Sequence, residues 1–401
     1  GTNFEYKWWS MGSNIKKTLL ILAGGKEAIN GIKIAKSMGL NVIVADGNPN
    51  APGRELADDF INVNIYDSKH TLEIIKEYSN KNKINGVITI AADNPMSVAL
   101  VANELNIKGP SINTALLSTN KVLMKDEFKK NNIPIPFYRP IHQAQEIEQI
   151  LTDRPSEYVL KPCDSRGSRG VIRLSKISEV EKAWNFSSKY SKSGILILEE
   201  WIYGDQVSSE SIVWTGTSYL CGLADRNYNR LNELYPFVVE DGGETPSKLS
   251  PIINDKIDQL LTKAANVMGL KEGSIKGDII VSNGKLFIIE TAVRLSGGYF
   301  STNTIPMVYN YNLIEEIIKI AIGQKPNLPD KPLKNEKFQA NRFLFLKPGK
   351  IKSIEKKYVK NMYINEIYLS PGDIISRIDN HTKRAGMVMS IENSRDKAIS
   401  D

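Results

Sequence analysis

At 401 residues the chain is long enough for two or three domains, and 41% hydrophobic with 24% charged residues is an ordinary globular balance, not that of a disordered or fibrous protein. No apolar run approaches the ~20 residues of a spanning helix, which excludes an integral membrane protein. Two cysteines, Cys163 and Cys221, allow one disulfide at most, and three scattered histidines, His70, His142 and His381, make a zinc centre a poor expectation. The 52 basic and 45 acidic residues leave +7, but the excess is lysine spread through helical stretches, as on a solvated surface. No zinc finger, helix-turn-helix signature or aromatic stripe supports a nucleic-acid partner.

Gly1 to Ser13 (GTNFEYKWWSMGS) lacks the basic start, apolar middle and cleavage site of a signal peptide. It reads as an added or disordered arm, and with so few cysteines the expected compartment is the cytoplasm. Beyond it, strands and helices alternate. Thr18 to Ala23 is a strand closed by Gly24-Gly25, Ala28 to Met38 has helical spacing, and Asn41 to Ala45 is a strand ending at Asp46. Phe60 to Val63, a helix around Leu72 to Tyr78, and the strand Gly86 to Ile90 follow. Such alternation predicts a parallel, doubly wound sheet with ligands beyond the carboxyl ends of its strands. The Gly24-Gly25 turn and Asp46 lie at such ends, although no full dinucleotide fingerprint is present.

Helices around Asn113 to Leu117 and Lys121 to Asn131 lead to a boundary at Pro134 and Pro136. Strands Tyr158 to Lys161, Gly170 to Leu174 and Gly194 to Glu200 then surround a helix near Ile177 to Trp184. Antiparallel strands at Val207 to Val213 and Ser218 to Ala224, a helix over Asn254 to Met268, and strands Ser274 to Val281 and Lys285 to Thr291 complete the middle. From Lys337 onward, short strands and Gly/Pro turns indicate a β-rich closing module.

Three stretches carry chemistry. In Val159 to Val171 (VLKPCDSRGSRGV) a buried strand ends in Lys161 and a loop of small and basic residues follows. Gly167 and Gly170 would let backbone N–H groups approach phosphate oxygens, with Lys161, Arg166 or Arg169 adding charge. A plain glycine-rich hairpin is the bland alternative. In Gly194 to Gly204 (GILILEEWIYG) an apolar strand meets two carboxylates, then Trp201 and Ile202, which suits a purine beside extended backbone; taken alone, the stretch reads better as a buried strand with an edge carboxylate pair. In the third, strands joined by the Asn283-Gly284 turn can set Asp278 and Glu290 on one face, with Arg294 just beyond. Facing carboxylates repel unless a cation sits between them, and hard oxygen ligands suit magnesium on phosphates. Surface ion pairs with lysines are the alternative.

Strand lysine, glycine-rich loop, Glu-Glu-aromatic-aliphatic hinge and carboxylate…carboxylate-x-x-x-Arg-x-x-Gly-Gly occur here in one order across nearly half of the chain. That order resembles the ATP-grasp superfamily. The AGG and VADGNPNAPG segments of the N-terminal third are similar to the pre-ATP-grasp domain of its carboxylase and carboxylate–amine ligase branch, and Asn120-Lys121, Phe128 and Ile133-Pro134 resemble that branch's entry to the ATP-binding domain. The resemblance implies a mixed α/β and α+β fold: the arm to residue 13, a doubly wound pre-ATP-grasp domain over 14–110, an ATP-grasp domain over 111–330 with its small lid part over about 135–203, and the β-rich module over 331–401. It implies ATP with Mg2+, or Mn2+ in its place. Lys121 and Lys161 match lysines that contact phosphates, Ser165, Arg166, Gly167, Ser168 and Gly170 fall in the phosphate-covering loop, and Glu199, Glu200, Trp201 and Ile202 match the adenine hinge. Gln206 stands where many members have a ribose-binding glutamate. Asp278 and Glu290 match the metal carboxylates, Ala292 replaces a ligating asparagine of many relatives, and Arg294 and Lys161 are the expected catalytic cations.

The implied reaction activates a carboxylate with ATP as an acyl phosphate, which an amine then attacks, giving an amide, ADP and phosphate. The segments LSGG (295–298), VVEDGG (238–243) and TPS (245–247) look more like those of amino-acid ligases than of biotin carboxylase. A bicarbonate-using carboxylase such as carboxyaminoimidazole ribonucleotide synthase is the alternative enzyme, and a non-catalytic ATP-binding regulator the alternative of a different class. Expected partners are small carboxylate and amine substrates, not nucleic acid or membrane, with a homodimer as the default assembly.

Overall fold

The computed structural model describes residues 15–401, so the arm read at Gly1 to Ser13 lies outside the described residues. The N-terminal part runs β1 (Thr18–Leu22), α1 (Ala28–Ser37), β2 (Asn41–Asp46), β3 (Asp59–Asn62), α2 (Ser68–Ser79), β4 (Gly86–Thr89) and α3 (Pro95–Leu105). All four strands are parallel, in the order β3-β2-β1-β4. Every residue of β1 is buried because helices cover both faces of the sheet. Leu19 and Ile21 pack with Ile32 and with Ile314 and Ile318 from far along the chain; Leu20 and Leu22 pack with Ile75, Val98 and Val101.

Two short helices, α4 (Ile112–Thr119) and α5 (Lys121–Lys130), lead onward, each capped by a polar side chain, Ser111 and Asn120. A small antiparallel sheet follows, from β5 (Tyr138–Ile141), α6 (Ala144–Asp153), β6 (Tyr158–Pro162), β7 (Ile172–Leu174), α7 (Val180–Ser188) and β8 (Leu196–Glu200), with strand order β5-β8-β6-β7. Next come β9 (Asp205–Trp214), β10 (Thr217–Asn227), β11 (Gly242–Thr245), α8 (Pro251–Met268), β12 (Gly273–Ser282), β13 (Lys285–Ala292), α9 (Ile305–Tyr309) and α10 (Leu313–Ala321). The tail holds β14 (Phe338–Leu344), β15 (Gly349–Lys350), β16 (Met362–Ile367), β17 (Ile374–Ile375), β18 (Gly386–Glu392) and α11 (Arg395–Ser400). The β-rich tail makes no large sheet of its own. Three of its strands extend the central sheet into eight, β13-β12-β9-β10-β11-β14-β18-β16.

Two glycine features of this sheet have direct physical causes. Asn283 and Gly284 both have positive φ, 50° and 77°, as the tight hairpin between β12 and β13 demands. That turn sets the register as far as Ile279 opposite Ile288, and a β-bulge that skips Ile289 then brings Asp278 opposite Glu290. On β11 the reason is closeness rather than dihedral angle: a Cβ on Gly243 would stand 2.2 Å from the Asp225 carbonyl oxygen, which is backbone and cannot step aside. Gly243→Ala should therefore destabilise the protein by about 1–3 kcal/mol through overpacking, measured as a lower urea midpoint at unchanged slope.

Candidate active site

A cavity of about 440 Å³ lies between the small and central sheets, closed at one end by the start of α5. One part is apolar, with Val159, Ile202, Val207, Val238 and Ile280; another is ionic, with Lys121, Lys161, Lys276, Arg226, Arg294, Asp278 and Glu290. Most of the residues singled out in the sequence meet here. Ser165 to Ser168, Glu199 to Ile202 and Gln206 all line it. Gly170 does not. A Cβ there would strike Pro162 and Tyr190, so this glycine, with φ 75°, lets the loop turn back tightly. The strand after it starts at Ile172, two residues later than its apolar pattern predicted.

Glu199 is the most constrained charge. It is 2% exposed, and Lys161 on the neighbouring strand approaches one of its oxygens at 2.6 Å. Lys125, one turn into α5 and 1% exposed, contacts the other oxygen and also donates to the Ile289 carbonyl at 3.2 Å. Burial alone would raise the Glu199 pKa, but the two lysines outweigh it and hold the carboxyl down to about 2. Lys125 carried no motif signal, because on a helical wheel it is one more lysine among several.

Asp278 and Glu290 are cross-strand partners, as the hairpin predicted. The residues facing them are not surface lysines. Glu290 has Lys121 at 3.7 Å, and Asp278 has Arg226 at 3.5 Å and Lys276 at 3.6 Å, each side chain less than a third exposed. Against the cost of burial, Lys121, Lys276, Lys161 and Arg294 draw the Glu290 carboxyl down to about 2. In turn the carboxylates, Glu290 foremost, overcome burial and keep Lys121 above its ordinary value. These ionic contacts are longer than hydrogen bonds, so oxygens of both sides remain available to a ligand. A two-carboxylate donor set ringed by cations fits a divalent metal shared with phosphates; no cluster of three metal-ligating side chains exists among the described residues.

The loop between β6 and β7 lies over the cavity. Gly167, Ser168 and Gly170 all have positive φ. The loop is fastened at several points: Asp164 accepts the Lys192 and Ser193 N–H groups at 3.0 Å, Lys121 donates to the Ser165 carbonyl at 3.2 Å, the His381 N–H to the Gly167 carbonyl at 3.0 Å, and Arg166 stacks over Tyr66 at 4.7 Å. His381 was set aside in the sequence as a scattered histidine. Burial, with Arg384 and Arg226 beside it, holds it neutral, so its Nε2 accepts the Glu240 N–H at 3.2 Å. Arg294 is turned toward the parallel sheet, where its Nε donates to Asp93 at 3.1 Å. Asp93 follows β4 and had no motif to mark it.

With this geometry in place, comparison with known proteins is direct. Residues 118–298 match the ATP-grasp domain family, and residues 19–107 match the PylC-like N-terminal domain. The chain carries an ATP-grasp domain behind a PylC-like N-terminal domain. It is 22% identical over 354 residues to the uncharacterised protein y4rH of Sinorhizobium fredii, covering 86% of this chain and 72% of that one. It is 27% identical over 198 residues to a formate-dependent phosphoribosylglycinamide formyltransferase of Prochlorococcus marinus, spanning about half of each protein (48% and 49%). Among solved structures, the L-amino acid ligase of Bacillus licheniformis superposes with a TM-score of 0.77 at 17% identity, over 96% of this chain and 95% of that one. ATP-grasp enzymes work with ATP and magnesium. No helix among the described residues is long and apolar enough to cross a membrane.

The Glu199 cluster has a consequence for acid stability. A carboxyl whose folded pKa is about 2 against an ordinary 4.5 stabilises the fold fully above pH 4.5, and that stabilisation fades as pH falls toward 2. Glu199→Gln should flatten this part of the stability–pH profile, followed by chemical denaturation from pH 5 to pH 2.5.

Proposed function

We propose that the protein is an ATP-dependent carboxylate–amine ligase that forms an amide-type bond through an acyl phosphate, releasing ADP and phosphate. The observation that carries this reading is the convergence of Lys121, Lys161 and Arg294 on the cross-strand pair Asp278 and Glu290 within one cavity. The L-amino acid ligase among the structural neighbours supports the same reaction class through its shared fold.

In this reading the apolar end, with Ile202, Val159 and Ile280, receives the adenine, and the hinge backbone of Glu200 to Ile202 offers it hydrogen bonds. The Trp201 indole N–H is buried there without a partner. Gln206 faces the ribose with an amide in place of a carboxylate. Lys161 and Lys121 neutralise phosphate oxygens as point charges, and Asp278 with Glu290 would hold magnesium. Bound there, the metal supplies charge compensation on the transferring phosphoryl group. Arg294 faces the carboxylate being activated, and Asp93 fixes its direction. The loop from Ser165 to Gly170 covers the site and keeps water from the activated acyl group. With alanine at position 292, a second magnesium has one protein ligand fewer and binds more weakly.

The reading is tested by phosphate release screened over a matrix of amino acids, other carboxylates, amines and bicarbonate. ADP with an amide product is expected; AMP with pyrophosphate would reject the acyl-phosphate route, and turnover with bicarbonate alone would move the protein to the carboxylases. Two substitutions test the residue roles. Lys161→Ala should weaken ATP binding yet leave the protein folded, since Lys125 still pairs with Glu199; unchanged ATP affinity in calorimetry would remove Lys161 from the site. Glu290→Gln should lower turnover by a factor of about 100 or more across a magnesium titration. A carboxylate engaged only in an exposed ion pair would contribute about 0–1 kcal/mol and leave rates nearly intact.

A further inference from the structure

Val159 lines the apolar end of the cavity and is the cross-strand partner of Glu199 on one side and of Arg173 on the other. Cross-strand partners project to one face of a sheet, so Arg173 leaves β7 on the cavity side, one strand beyond Val159. It is 6% exposed. A guanidinium so deeply buried normally satisfies both its donors and its charge. Here Nε and Nη1 have no hydrogen-bond partner, Nη2 donates to the Tyr203 hydroxyl at 3.4 Å, and Glu157 stands 3.8 Å away on a half-exposed side chain.

What meets the guanidinium instead is aromatic. Its Cζ lies 4.5 Å from the centre of the Trp201 ring and 5.3 Å from that of Tyr235. Both are within the ~6 Å at which a cation is drawn to an aromatic face, and the attraction grows where water is excluded. Trp201 is a hinge residue: it lines the cavity, and its own backbone N–H is already given to the Glu157 carbonyl at 2.9 Å. Tyr235 comes from the segment between β10 and β11 and stands outside the cavity lining. Its hydroxyl donates to Glu179, ahead of α7, at 2.6 Å. The backbone follows the same path, since the Arg173 N–H donates to the Pro236 carbonyl at 2.8 Å and Ile172 bridges Phe237. Arg173 therefore connects the small sheet, the hinge and the β10–β11 segment of the central sheet.

We propose that Arg173 is a positioning residue for the nucleotide base. Stacked on Trp201, it fixes the hinge so that the backbone of Glu200 and Ile202 keeps a set distance from the apolar end of the cavity. Contact with Tyr235 ties that hinge position to the central sheet. A planar, delocalised cation suits the task, whereas an ammonium cannot lie flat on a ring. The unmet N–H groups are what a guanidinium gives up when it is placed for its face and not for its donors. The role rests on the reading of this cavity as the ATP site of a ligase, and adds to it the group that sets the hinge.

The test is calorimetry on the intact chain with two magnesium-bound probes, a non-hydrolysable ATP analogue and tripolyphosphate, which has no base. Arg173→Met, which keeps an unbranched stem of similar packing, should weaken the analogue about tenfold and change tripolyphosphate affinity by less than about twofold. Arg173→Lys, which keeps the charge but not the plane, should lose nearly as much. Tyr235→Leu should show a smaller loss, again confined to the analogue. A folded Arg173→Met variant that binds the analogue like the wild type overturns the proposal. So do equal losses for both probes, which would be general damage to the small sheet, and so does full affinity in Arg173→Lys. Should Arg173→Met not fold, Tyr235→Leu decides, and unchanged analogue affinity there overturns the role. Because turnover is not read, a chain that binds the analogue but forms no amide rejects the ligase reaction and leaves this role standing, whereas a wild-type chain that binds no analogue removes both.

Discussion

The site depends on one buried carboxylate. Glu199 joins β8 to β6 through Lys161 and to α5 through Lys125, and Lys125 carries the connection on to β13 at the Ile289 carbonyl. A charge this deep is tolerable only while a cation stays against it, and with two lysines on Glu199 the loss of Lys161 still leaves Lys125 paired. The same requirement positions Lys161 at the cavity and keeps the small sheet in a set relation to the helix that starts with Lys121. Stability and chemistry are therefore not separable at this point of the molecule.

Around that anchor, the cavity gathers an excess of lysine and arginine, with Lys121, Arg226 and Lys276 each standing 3.5–3.7 Å from a carboxylate. Arg294 is fixed by Asp93 from the parallel sheet, so the N-terminal part of the chain contributes directly to the arrangement of this cation. The tail contributes too, since His381 fastens the covering loop.

Much of this was legible in order along the chain. The strands of the parallel sheet showed as short apolar runs, because burial on both faces removes any alternation. Asn283-Gly284 marked the hairpin that carries Asp278 and Glu290, because only residues tolerating positive φ can make that turn, whereas the bulge that sets the two opposite each other left no mark. The loop after Lys161 and the hinge after Leu198 were visible as changes from apolar to charged residues at strand ends. Other elements left no such trace. Pro95–Leu105 is a helix with Val98, Ala99, Val101 and Ala102 all buried, so it presents no polar face and no stripe of period 3.6. Gly170 looked like a phosphate contact because it belongs to the glycine-rich loop, yet it lies outside the cavity and serves the turn.

By itself, then, the sequence determined the candidate site residues that local chemistry can encode: Lys121 and Lys161, Asp278 and Glu290, the glycine-rich loop and the parallel sheet that precedes them. Each is marked by residue type at a characteristic spacing within a single strand, turn or hairpin. Tertiary structure alone decided which ordinary residues complete the site. Lys125, Asp93 and His381 come from a helix, a strand-end loop and the tail, brought together across 288 positions between Asp93 and His381. Their roles arise from burial and from what faces them, and a side chain's pKa and partners are properties of that three-dimensional neighbourhood, with no counterpart in the residues beside it along the chain.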